Sequence, residues 1–427
     1  MKKLSTEPYK GTRDFYPEDM ALQKYIFDTM RRVAEQYGYQ EYTASIMEET
    51  DLYRAKTGEE IVTEQTYTFT DRGGRDVTLR PEMTPTVARM IANKRRELNF
   101  PVRWYSIPNC FRYERPQRGR LREFWQLNVD LLGSTSLFAD SEIIKMAYDI
   151  MLAFGANPTT FVIKINSRTL MNTLFKDVLQ LDEEQTYRLS KLIDKKAKVS
   201  AEEFLASSQA LTGTKQDLLL EFLNATTLDN LPTVLRTTEA VTELRTIMNT
   251  LVAQGVQNCL FDPTLMRGFD YYTGSVFEVF DTSPENSRSL FGGGRYDNLV
   301  DLFGVASVPA VGFGMGDVTM QNYLETYHLI PSFTSGIDLT ICTLDDRAVP
   351  QALAFAESLR KQGKRVVVDY SEKKIGQKIG AAQKNGSVYV VCIGEQEIAT
   401  DAYTLKTLAD FSERPVSGKE LATLTIE

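Results

Sequence analysis

The chain contains the run Phe111-Arg112-Tyr113-Glu114-Arg115-Pro116-Gln117-Arg118-Gly119-Arg120-Leu121-Arg122, with five arginines. The whole chain has a formal net charge of -8, so a local cationic run needs a specific reason. Arginine presents a planar fork of donors that grips a phosphate in two places at once. The flanking segments 102–107 and 124–132 are rich in strand formers, which predicts a hairpin whose loop carries the arginines. Because acidic residues are nearly excluded from its tip, phosphate or nucleic-acid binding is favoured over a merely solvated loop.

Three further segments carry distinctive patterns, Thr78-Leu79-Arg80-Pro81-Glu82-Met83-Thr84-Pro85, Arg267-Gly268-Phe269-Asp270-Tyr271-Tyr272-Thr273-Gly274 and Gly292-Gly293-Gly294-Arg295-Tyr296-Asp297. The arginine run resembles motif 2 of the class II aminoacyl-tRNA synthetases, in which Phe-Arg-x-Glu opens the hairpin that grips ATP. Together the four segments resemble the histidyl-tRNA synthetase family. The resemblance keeps the family's order over nearly the whole chain and is weakest at about 172–254.

Composition sets broad limits on the fold and the location. With 427 residues, 42% hydrophobic and 25% charged, the chain is typical of a globular protein of two to three domains. No apolar run approaches the roughly 20 residues of a membrane span. The first residues lack an apolar signal core, so we expect a cytoplasmic protein. The four cysteines form no CxxC pair, which favours reduced thiols over disulfides or zinc ligands.

The only histidine is His328. Ser-His-Asp catalysis, Cys-His catalysis and histidine-ligated metal sites would all have to use this one residue next to a predicted linker. We therefore predict no protein metal site and an active site built from arginines, carboxylates and tyrosines. A Walker P-loop is missing, and the glycines at 312, 314 and 316 are not followed by a dinucleotide-binding βαβ unit.

Periodicity predicts the organisation of the first domain. An amphipathic helix starts after Pro17, and strands are predicted at 41–46, 67–70, 76–79, 102–107, 124–132, 160–165, 275–280 and 310–314. Few helices separate these strands, so an α+β fold is expected, with a mainly antiparallel sheet and helices on one face. A helical insertion is predicted at about 169–255, including 183–205 and 217–223. It is as well suited to bracing the fold as to contacting tRNA.

The pattern changes beyond a linker at 329–336. Strands at 337–343, 365–369 and 387–393 alternate with helices at 348–362 and 373–384, which predicts a compact α/β domain. The predicted domains are thus 1–328 and 337–427. The family resemblance implies that the second domain binds the anticodon. A basic side fits tRNA or a solvated helix face almost equally well, and it comprises Lys361, Lys364, Arg365, Lys373, Lys374, Lys378 and Lys384.

The resemblance implies an active site for ATP. Forming an aminoacyl adenylate requires positioning and positive charge more than a general base, because the attacking carboxylate is already ionised. Arg112 is expected to hold the α-phosphate, and Arg267 the amino-acid carboxylate and the same phosphate. Mg²⁺ would bridge the phosphates. Glu114 is expected to accept from the adenine amino group, and Phe124 either to stack on the ring or to serve as a core residue.

The resemblance also implies a pocket for free histidine. Glu82, Thr84 and Gln126 would take its ammonium group, while Asp130 accepts a ring N–H and Tyr272 bonds the other nitrogen. Tyr271 belongs to the same predicted site. Gln126 and Asp130 are four residues apart on one strand and so share a face. A structural Asp130, satisfied by backbone donors, is the alternative.

The arginine loop is also predicted to contact tRNA. Gln117, Arg118 and Arg120 are assigned to the acceptor end of tRNA.

The chain departs from the family pattern at two positions. Thr319 stands where the third motif of the family has an arginine, so another cation would have to hold ATP. The candidates for that cation are Arg120, Arg288 and Arg295. Ser45 stands where the first motif usually has a proline, which bears on the homodimer implied by the family.

Three functions are compatible with these patterns. The leading prediction is a histidine–tRNA ligase that makes histidyl-adenylate from histidine and ATP and then charges tRNA(His). The first alternative is a regulatory subunit of ATP phosphoribosyltransferase, which shares the core without charging tRNA. Such subunits lack the anticodon-binding domain and the full Arg-Gly-x-Asp-Tyr-Tyr pattern, and this chain has both. The second alternative is a tRNA-binding paralogue without catalysis, which Thr319 favours.

Overall fold

The computed structural model describes residues 4–54, 65–266, 271–286, 288–333 and 336–424. The chain divides into two compact units, Met1–Ile330 and Pro331–Glu427. Among the helices so described, none has the length and apolar character needed to cross a membrane.

The first unit contains a large sheet and a small one. In chain order its strands are β1 (Gln40–Glu41), β2 (Met47–Glu49), β3 (Tyr67–Thr70), β4 (Asp76–Leu79), β5 (Val102–Ser106), β6 (Asn109–Phe111), β7 (Glu123–Leu132), β8 (Phe161–Ser167), β9 (Cys259–Phe261), β10 (Ser275–Asp281), β11 (Ser289–Arg295) and β12 (Ala310–Gly316). The large sheet has the order β1-β5-β7-β12-β11-β10-β8-β9, with β6 also paired to β7, and the small sheet is β2-β4-β3. Only the end pairs β1–β5 and β8–β9 of the described large sheet are parallel, so the predicted antiparallel character is confirmed.

The helices of the first unit lie on both faces of the large sheet. They are α1 (Pro17–Gln36), α2 (Asp51–Arg54), α3 (Thr84–Lys94), α4 (Leu137–Ala153), α5 (Arg168–Asn172), α6 (Glu183–Asp194), α7 (Ala201–Thr212), α8 (Gln216–Leu223), α9 (Thr233–Arg236), α10 (Glu239–Ala253) and α11 (Asp317–Thr326), with a π-helical turn at Thr173–Val178. Ile26, Met30 and Val33 form the buried stripe of α1, at helical spacing, and belong to the same hydrophobic cluster as α4 and the sheet. The helical insertion, whose existence was predicted, packs into this cluster through α6–α10.

Strand alternation separates the hydrophobic core from the opposite face of the sheet. Along β7, Leu127, Val129 and Leu131 belong to the core beneath the helices. Successive side chains of a strand point to opposite faces, so Gln126 and Asp130 lie on the other side. The predicted sharing of one face by these two polar residues is therefore built into the strand.

Two parts of the large sheet differ from the sequence prediction. The strand predicted at 41–46 is wrong, because β1 ends at Glu41 and β2 begins at Met47. The Arg80 guanidinium donates hydrogen bonds to the carbonyl oxygens of Ala44 (2.9 Å) and Ser45 (3.3 Å), so the backbone at these two residues bonds a side chain instead of a neighbouring strand. Conversely, β11 was not predicted, since its three glycines have low strand propensity.

The second unit contains one mixed five-stranded sheet. Its strands are β13 (Leu339–Thr343), β14 (Val366–Asp369), β15 (Tyr389–Ile393), β16 (Ala402–Thr407) and β17 (Glu413–Ser417), and its helices are α12 (Val349–Lys361), α13 (Ile375–Lys384), α14 (Glu395–Thr400) and α15 (Gly418–Ala422). The order is β14-β13-β15-β16-β17, with parallel pairing among the first three strands. The predicted β-α-β-α-β alternation is confirmed, while the antiparallel β16 and β17 were not anticipated.

Candidate functional site

The arginine run forms the loop between β6 and β7, as predicted. Phe111 pairs with Glu123 at the base of this hairpin. At the start of the loop, the Arg112 Nε donates to the carbonyl oxygen of Pro81 (3.0 Å). Its guanidinium carbon lies 5.2 Å from the centre of the Phe124 ring, so the two side chains stack. These contacts hold Arg112 at the boundary between two adjoining cavities.

The first cavity, which we call the polar pocket, lies on the face of the large sheet that carries Gln126 and Asp130, where helix α3 also packs. Apart from Arg112, it is lined by Glu82, Thr84, Gln126, Asn128, Asp130, Tyr271, Tyr272, Gly292, Tyr296, Gly312, Phe313 and Gly314. The residues predicted to take the ammonium group and the ring of histidine thus come together around one cavity, whereas Arg267 is not among the described residues. They come from the start of α3, from β7 and from the segment before β10, which are far apart in the sequence. The lining offers both hydrogen-bond donors and acceptors.

Asp130 lies at the buried end of the polar pocket. The Tyr296 hydroxyl donates to its Oδ1, whereas its Oδ2 is buried and has no hydrogen-bond partner among the described residues. Burial raises the pKa of Asp130 from its ordinary 3.8 to about 7, and the Tyr296 hydrogen bond only partly opposes this. Burying a carboxylate oxygen without a hydrogen-bond partner costs free energy when no ligand is bound. A ligand that brings an N–H donor to this oxygen would remove that cost.

The tyrosines of the polar pocket form a packed group. The Tyr271 hydroxyl donates to Glu82 Oε2 (3.1 Å) and lies 3.5 Å from Thr84 Oγ1, which orients the carboxylate. Ring centres of Tyr271 and Tyr272 are 4.8 Å apart, and those of Tyr271 and Tyr296 are 5.7 Å apart. Aromatic packing of this kind fixes the hydroxyl groups in position. Tyr296 was not predicted as a site residue, although it lies in the quoted Gly-Gly-Gly-Arg-Tyr-Asp pattern.

Glycines on β12 give the polar side chains of β7 their space. Gly312 is the register partner of Asp130, and a Cβ there would lie 2.3 Å from the Val129 carbonyl oxygen. The same Cβ would lie 2.5 Å from Asp130 Oδ1. At Gly314 a Cβ would lie 2.6 Å from the Gln126 amide nitrogen. Any larger residue would therefore displace the carboxylate or the amide from the pocket.

The second cavity, which we call the arginine cavity, adjoins the first. It shares Arg112, Gln126, Gly292 and Gly314 with the polar pocket, and its other lining residues are Glu114, Gly119, Arg120, Leu121, Phe124, Leu290, Phe291, Gly316, Val318 and Thr319. The predicted ATP residues thus lie in one cavity. Because Arg112 and Gln126 belong to both cavities, two ligands seated side by side would meet at the Arg112 guanidinium.

The tip of the arginine loop is a tight turn. Gln117 and Arg120 exchange backbone hydrogen bonds of 3.0 and 2.9 Å across Gly119, which has φ = 78°. Arg118 donates to Asn286 Oδ1 (3.2 Å), and Arg120 forms an ion pair with Glu114 (3.0 Å). The turn therefore holds two arginines in different directions.

The structure overturns one candidate for the missing third-motif arginine. Arg295 lies outside both cavities, because it forms a buried ion pair with Asp140 beneath α10 and also donates to the Ser134 carbonyl oxygen (2.9 Å). Arg120 lines the arginine cavity together with Thr319. Thr319 donates to the Leu290 carbonyl oxygen (2.7 Å) and carries no charge.

The remaining predictions concern Arg267, the cysteines and a protein metal site. Arg267 lies outside the residues that the structure describes, so its predicted role stays a prediction. The cysteines are all free thiols. Within the described ranges, no group of three or more histidine, cysteine, aspartate or glutamate side chains is placed to hold a metal ion.

Comparisons with known proteins agree on one family. The histidyl-tRNA synthetase family model matches residues 11–317, and an anticodon binding domain model matches residues 338–426. The chain is 46% identical over 428 residues to the histidine–tRNA ligase of Leptospira biflexa, an alignment that covers 98% of this chain and 97% of that protein.

Solved structures show the same fold. The histidyl-tRNA synthetase of Nostoc sp. PCC 7120 superposes with a TM-score of 0.80 at 24% identity, covering 99% of both chains. A Bacillus halodurans protein described as an ATP phosphoribosyltransferase regulatory subunit/histidyl-tRNA synthetase superposes with a TM-score of 0.75 at 23% identity, covering 92% of this chain and 99% of that one. These likenesses concern the fold alone. The family model spans most of the first unit and the Leptospira relative aligns end to end, so the chain belongs to the histidyl-tRNA synthetase family.

Proposed function

We propose that this chain is a histidine–tRNA ligase, an ATP-dependent aminoacyl-tRNA synthetase that activates histidine and transfers it to tRNA(His). The observation that carries the proposal is the junction at Arg112. There the polar pocket, in which one Asp130 oxygen has no hydrogen-bond partner among the described residues, adjoins the arginine cavity. An amino acid and a nucleotide seated in these cavities would place carboxylate and α-phosphate against one guanidinium.

The first chemical step joins histidine to AMP. A carboxylate oxygen of histidine attacks the α-phosphorus of ATP, the bond to the β-phosphate oxygen breaks, and pyrophosphate leaves with that electron pair. Arg112 is the residue positioned to stabilise negative charge on the α-phosphate as the new bond forms. Its contacts with Pro81 and Phe124 hold it in place beforehand, which lowers the reorganisation that the reaction requires. Arg267 is assigned the histidine carboxylate and the same phosphate.

Histidine is selected by hydrogen bonds at both ends. We assign the ammonium group to Glu82, Thr84 and Gln126, with Tyr271 orienting Glu82 through its hydroxyl. The imidazole ring then extends toward Asp130, whose Oδ2 can accept a ring N–H, and toward Tyr272. A substrate without these ring nitrogens would leave the buried Asp130 unpaired, so apolar amino acids are rejected strongly.

ATP occupies the arginine cavity in this proposal. Phe124 supports the adenine ring and Glu114 accepts from its amino group. Mg²⁺ bound together with ATP would supply positive charge to the phosphates, and among the described residues no group of three or more histidine, cysteine, aspartate or glutamate side chains is placed to cage it.

Transfer to tRNA completes the reaction. A hydroxyl of the terminal ribose attacks the histidyl carbonyl carbon and loses its proton, the bond from that carbon to the phosphate oxygen breaks, and AMP leaves with the electron pair. We assign Gln117, Arg118 and Arg120 to the acceptor end, since the loop tip presents their polar groups beside the arginine cavity. The domain at 337–427 would contact the anticodon, and its basic residues would steer the tRNA. A cytoplasmic location and a homodimer complete the proposal, and sedimentation of the purified protein tests the latter.

Histidine-dependent exchange between ATP and pyrophosphate tests the first step, and acceptance of labelled histidine by tRNA(His) tests the second. We expect exchange with histidine and with no other standard amino acid. Exchange without transfer would point to an adenylate-forming protein that does not charge tRNA. Histidine binding without exchange would favour the regulatory-subunit alternative.

A further inference from the structure

A third cavity continues from the arginine cavity and carries an excess of positive charge. The two share Gly119, Arg120, Leu290 and Thr319, and the third cavity is also lined by Gln117, Arg118, Lys198, Glu285, Asn286, Arg288, Ser289 and Asn322. Arg118, Arg120, Lys198 and Arg288 face a single carboxylate, Glu285. A ligand anchored at Arg112 can therefore extend past Thr319 into a cationic space.

The cations of this third cavity differ in how they are neutralised. Arg118 lies 3.9 Å from the Glu285 carboxylate and Arg120 lies 3.0 Å from the Glu114 carboxylate. Arg288 donates only to Gln117 Oε1 (3.1 Å), and no described carboxylate lies within ion-pair distance of it. Burial, followed by the neighbouring Arg120 charge, lowers the pKa of Arg288. An anion between the two guanidinium groups would relieve this repulsion.

We propose that Arg288 holds the β- and γ-phosphates of ATP and then the leaving pyrophosphate. This inference rests on the proposed function, since it needs ATP in the arginine cavity. Thr319 lines both cavities and is neutral, so it cannot neutralise the polyphosphate. Arginine binds phosphate oxygens bidentately, and positive charge placed at the leaving group stabilises the transition state.

The third cavity has a second conceivable ligand, the acceptor end of tRNA. Arg118 and Gln117 already belong to that assignment and line the same wall. ATP is favoured for Arg288 because the space it faces is continuous with the arginine cavity, where Arg112 and Phe124 lie. The two ligands act in different steps, so kinetics separate them.

The test compares Arg288→Gln and Arg288→Lys with the parent protein and with Arg96→Gln. Arg96 is an exposed arginine after α3 that serves as a matched control. In histidine-dependent exchange, Arg288→Gln should raise KM for ATP and for pyrophosphate by roughly 10- to 100-fold, as expected for a lost charge-assisted hydrogen bond. KM for histidine and inhibition by AMP, which lacks the outer phosphates, should not change. Arg288→Lys should be intermediate, because lysine keeps the charge and loses the fork.

Several outcomes would overturn this assignment. Unchanged KM values for ATP and pyrophosphate would do so, and so would normal exchange with slower transfer to tRNA, which would assign Arg288 to tRNA instead. Parallel loss of AMP inhibition would indicate local structural damage rather than phosphate binding. If the parent protein itself shows no histidine-dependent exchange, the proposed function fails, whereas failure of this inference alone leaves parental exchange intact.

Discussion

Replacing Asp130 with asparagine should make the protein more stable above neutral pH and weaken its binding of histidine. The carboxylate is buried, and its Oδ2 lacks a partner within the described part of the chain. Ionising it without a ligand therefore costs free energy, which an amide of the same shape avoids. Asparagine keeps an oxygen that accepts from the Tyr296 hydroxyl. If Asp130 instead stabilised the fold, Asp130→Asn would lower the free energy of unfolding.

The pKa gives the size and direction of the stability effect. Burial raises the pKa of Asp130 from 3.8 to about 7, so the folded state holds its proton over a range where the unfolded chain has lost it. The retained proton stabilises the folded state relative to the unfolded chain. This stabilisation is complete below pH 4 and is lost progressively as pH rises to about 7. Each pKa unit is worth about 1.4 kcal/mol, so the full loss is at most about 4 kcal/mol. Between pH 5 and pH 8 the wild type should lose about 3 kcal/mol relative to Asp130→Asn.

Tryptophan fluorescence offers a local assay for this loss. Both tryptophans of the chain, Trp104 and Trp125, lie in the first unit, and Trp104 is the register partner of Asp130 on β5. Urea unfolding followed by this signal therefore reports on the unit that contains the mutation. Asp177→Asn removes an exposed carboxylate from the same unit and serves as the control. Its stability difference from wild type should not change between pH 5 and pH 8.

Calorimetry of histidine binding provides the second half of the test. At pH 8 the Asp130→Asn variant should bind histidine roughly 10- to 100-fold more weakly, because a charge-assisted hydrogen bond is lost. Binding of ATP should be almost unchanged, since Asp130 does not line the arginine cavity. Wild-type affinity for histidine in the variant would refute the reasoning and make Asp130 a structural residue. A pH-independent stability difference would refute the assigned ionisation.

Three further outcomes are expected. Arg267→Ala should slow histidine-dependent exchange by roughly 100-fold or more while weakening histidine binding less, which single-turnover kinetics and calorimetry distinguish. Neutralising Arg118 and Arg120 together should slow tRNA charging more than exchange and reduce its salt dependence, and equal loss in both steps would assign the loop to ATP. Gly312→Ala should destabilise the first unit by several kcal/mol in urea unfolding, because its Cβ would meet a carbonyl oxygen at 2.3 Å, whereas Gly316→Ala meets nothing closer than 3.6 Å.

The fold was predictable where a local pattern determines it. The alternation along β7 gave both the strand and the face of Gln126 and Asp130, because one period-2 pattern determines both. The strand predicted at 41–46 was wrong because the carbonyl groups of Ala44 and Ser45 accept hydrogen bonds from the Arg80 side chain. Local strand propensity carries no information about that distant contact. Strand β11 was not predicted because glycines have low strand propensity, although the tertiary structure requires glycine there. Gly293 is required by the approach of the β12 backbone, where a Cβ would lie 1.9 Å from the Gly312 carbonyl oxygen.

The candidate site was predictable through motifs and incomplete where partners are distant in sequence. Tyr296 lies 166 residues from Asp130, its hydrogen-bond acceptor, so its role could not be inferred from spacing. The same holds for Arg295, which lies 155 residues from Asp140. The Gly-Gly-Gly-Arg-Tyr-Asp motif singles out both residues. It does not show that Tyr296 faces the polar pocket while Arg295 forms an ion pair beneath α10. Arg295 ends β11 and Tyr296 follows it, so these consecutive side chains leave the extended chain on opposite sides.

The arginine cavity, more than the fold, separates a ligase from a histidine-sensing regulatory subunit. Both would need a pocket like the one around Asp130, and the Bacillus halodurans likeness extends over 92% of this chain without deciding between them. A sensor has no need for a guanidinium where amino-acid and nucleotide cavities meet, nor for a cationic extension beyond it. Arg112 stands at that meeting point and Arg288 faces the extension. The anticodon binding domain match at residues 338–426 adds a second feature that only a tRNA-dependent activity uses. The polar pocket would thus serve either function, and the arginines at and beyond the arginine cavity favour the ligase.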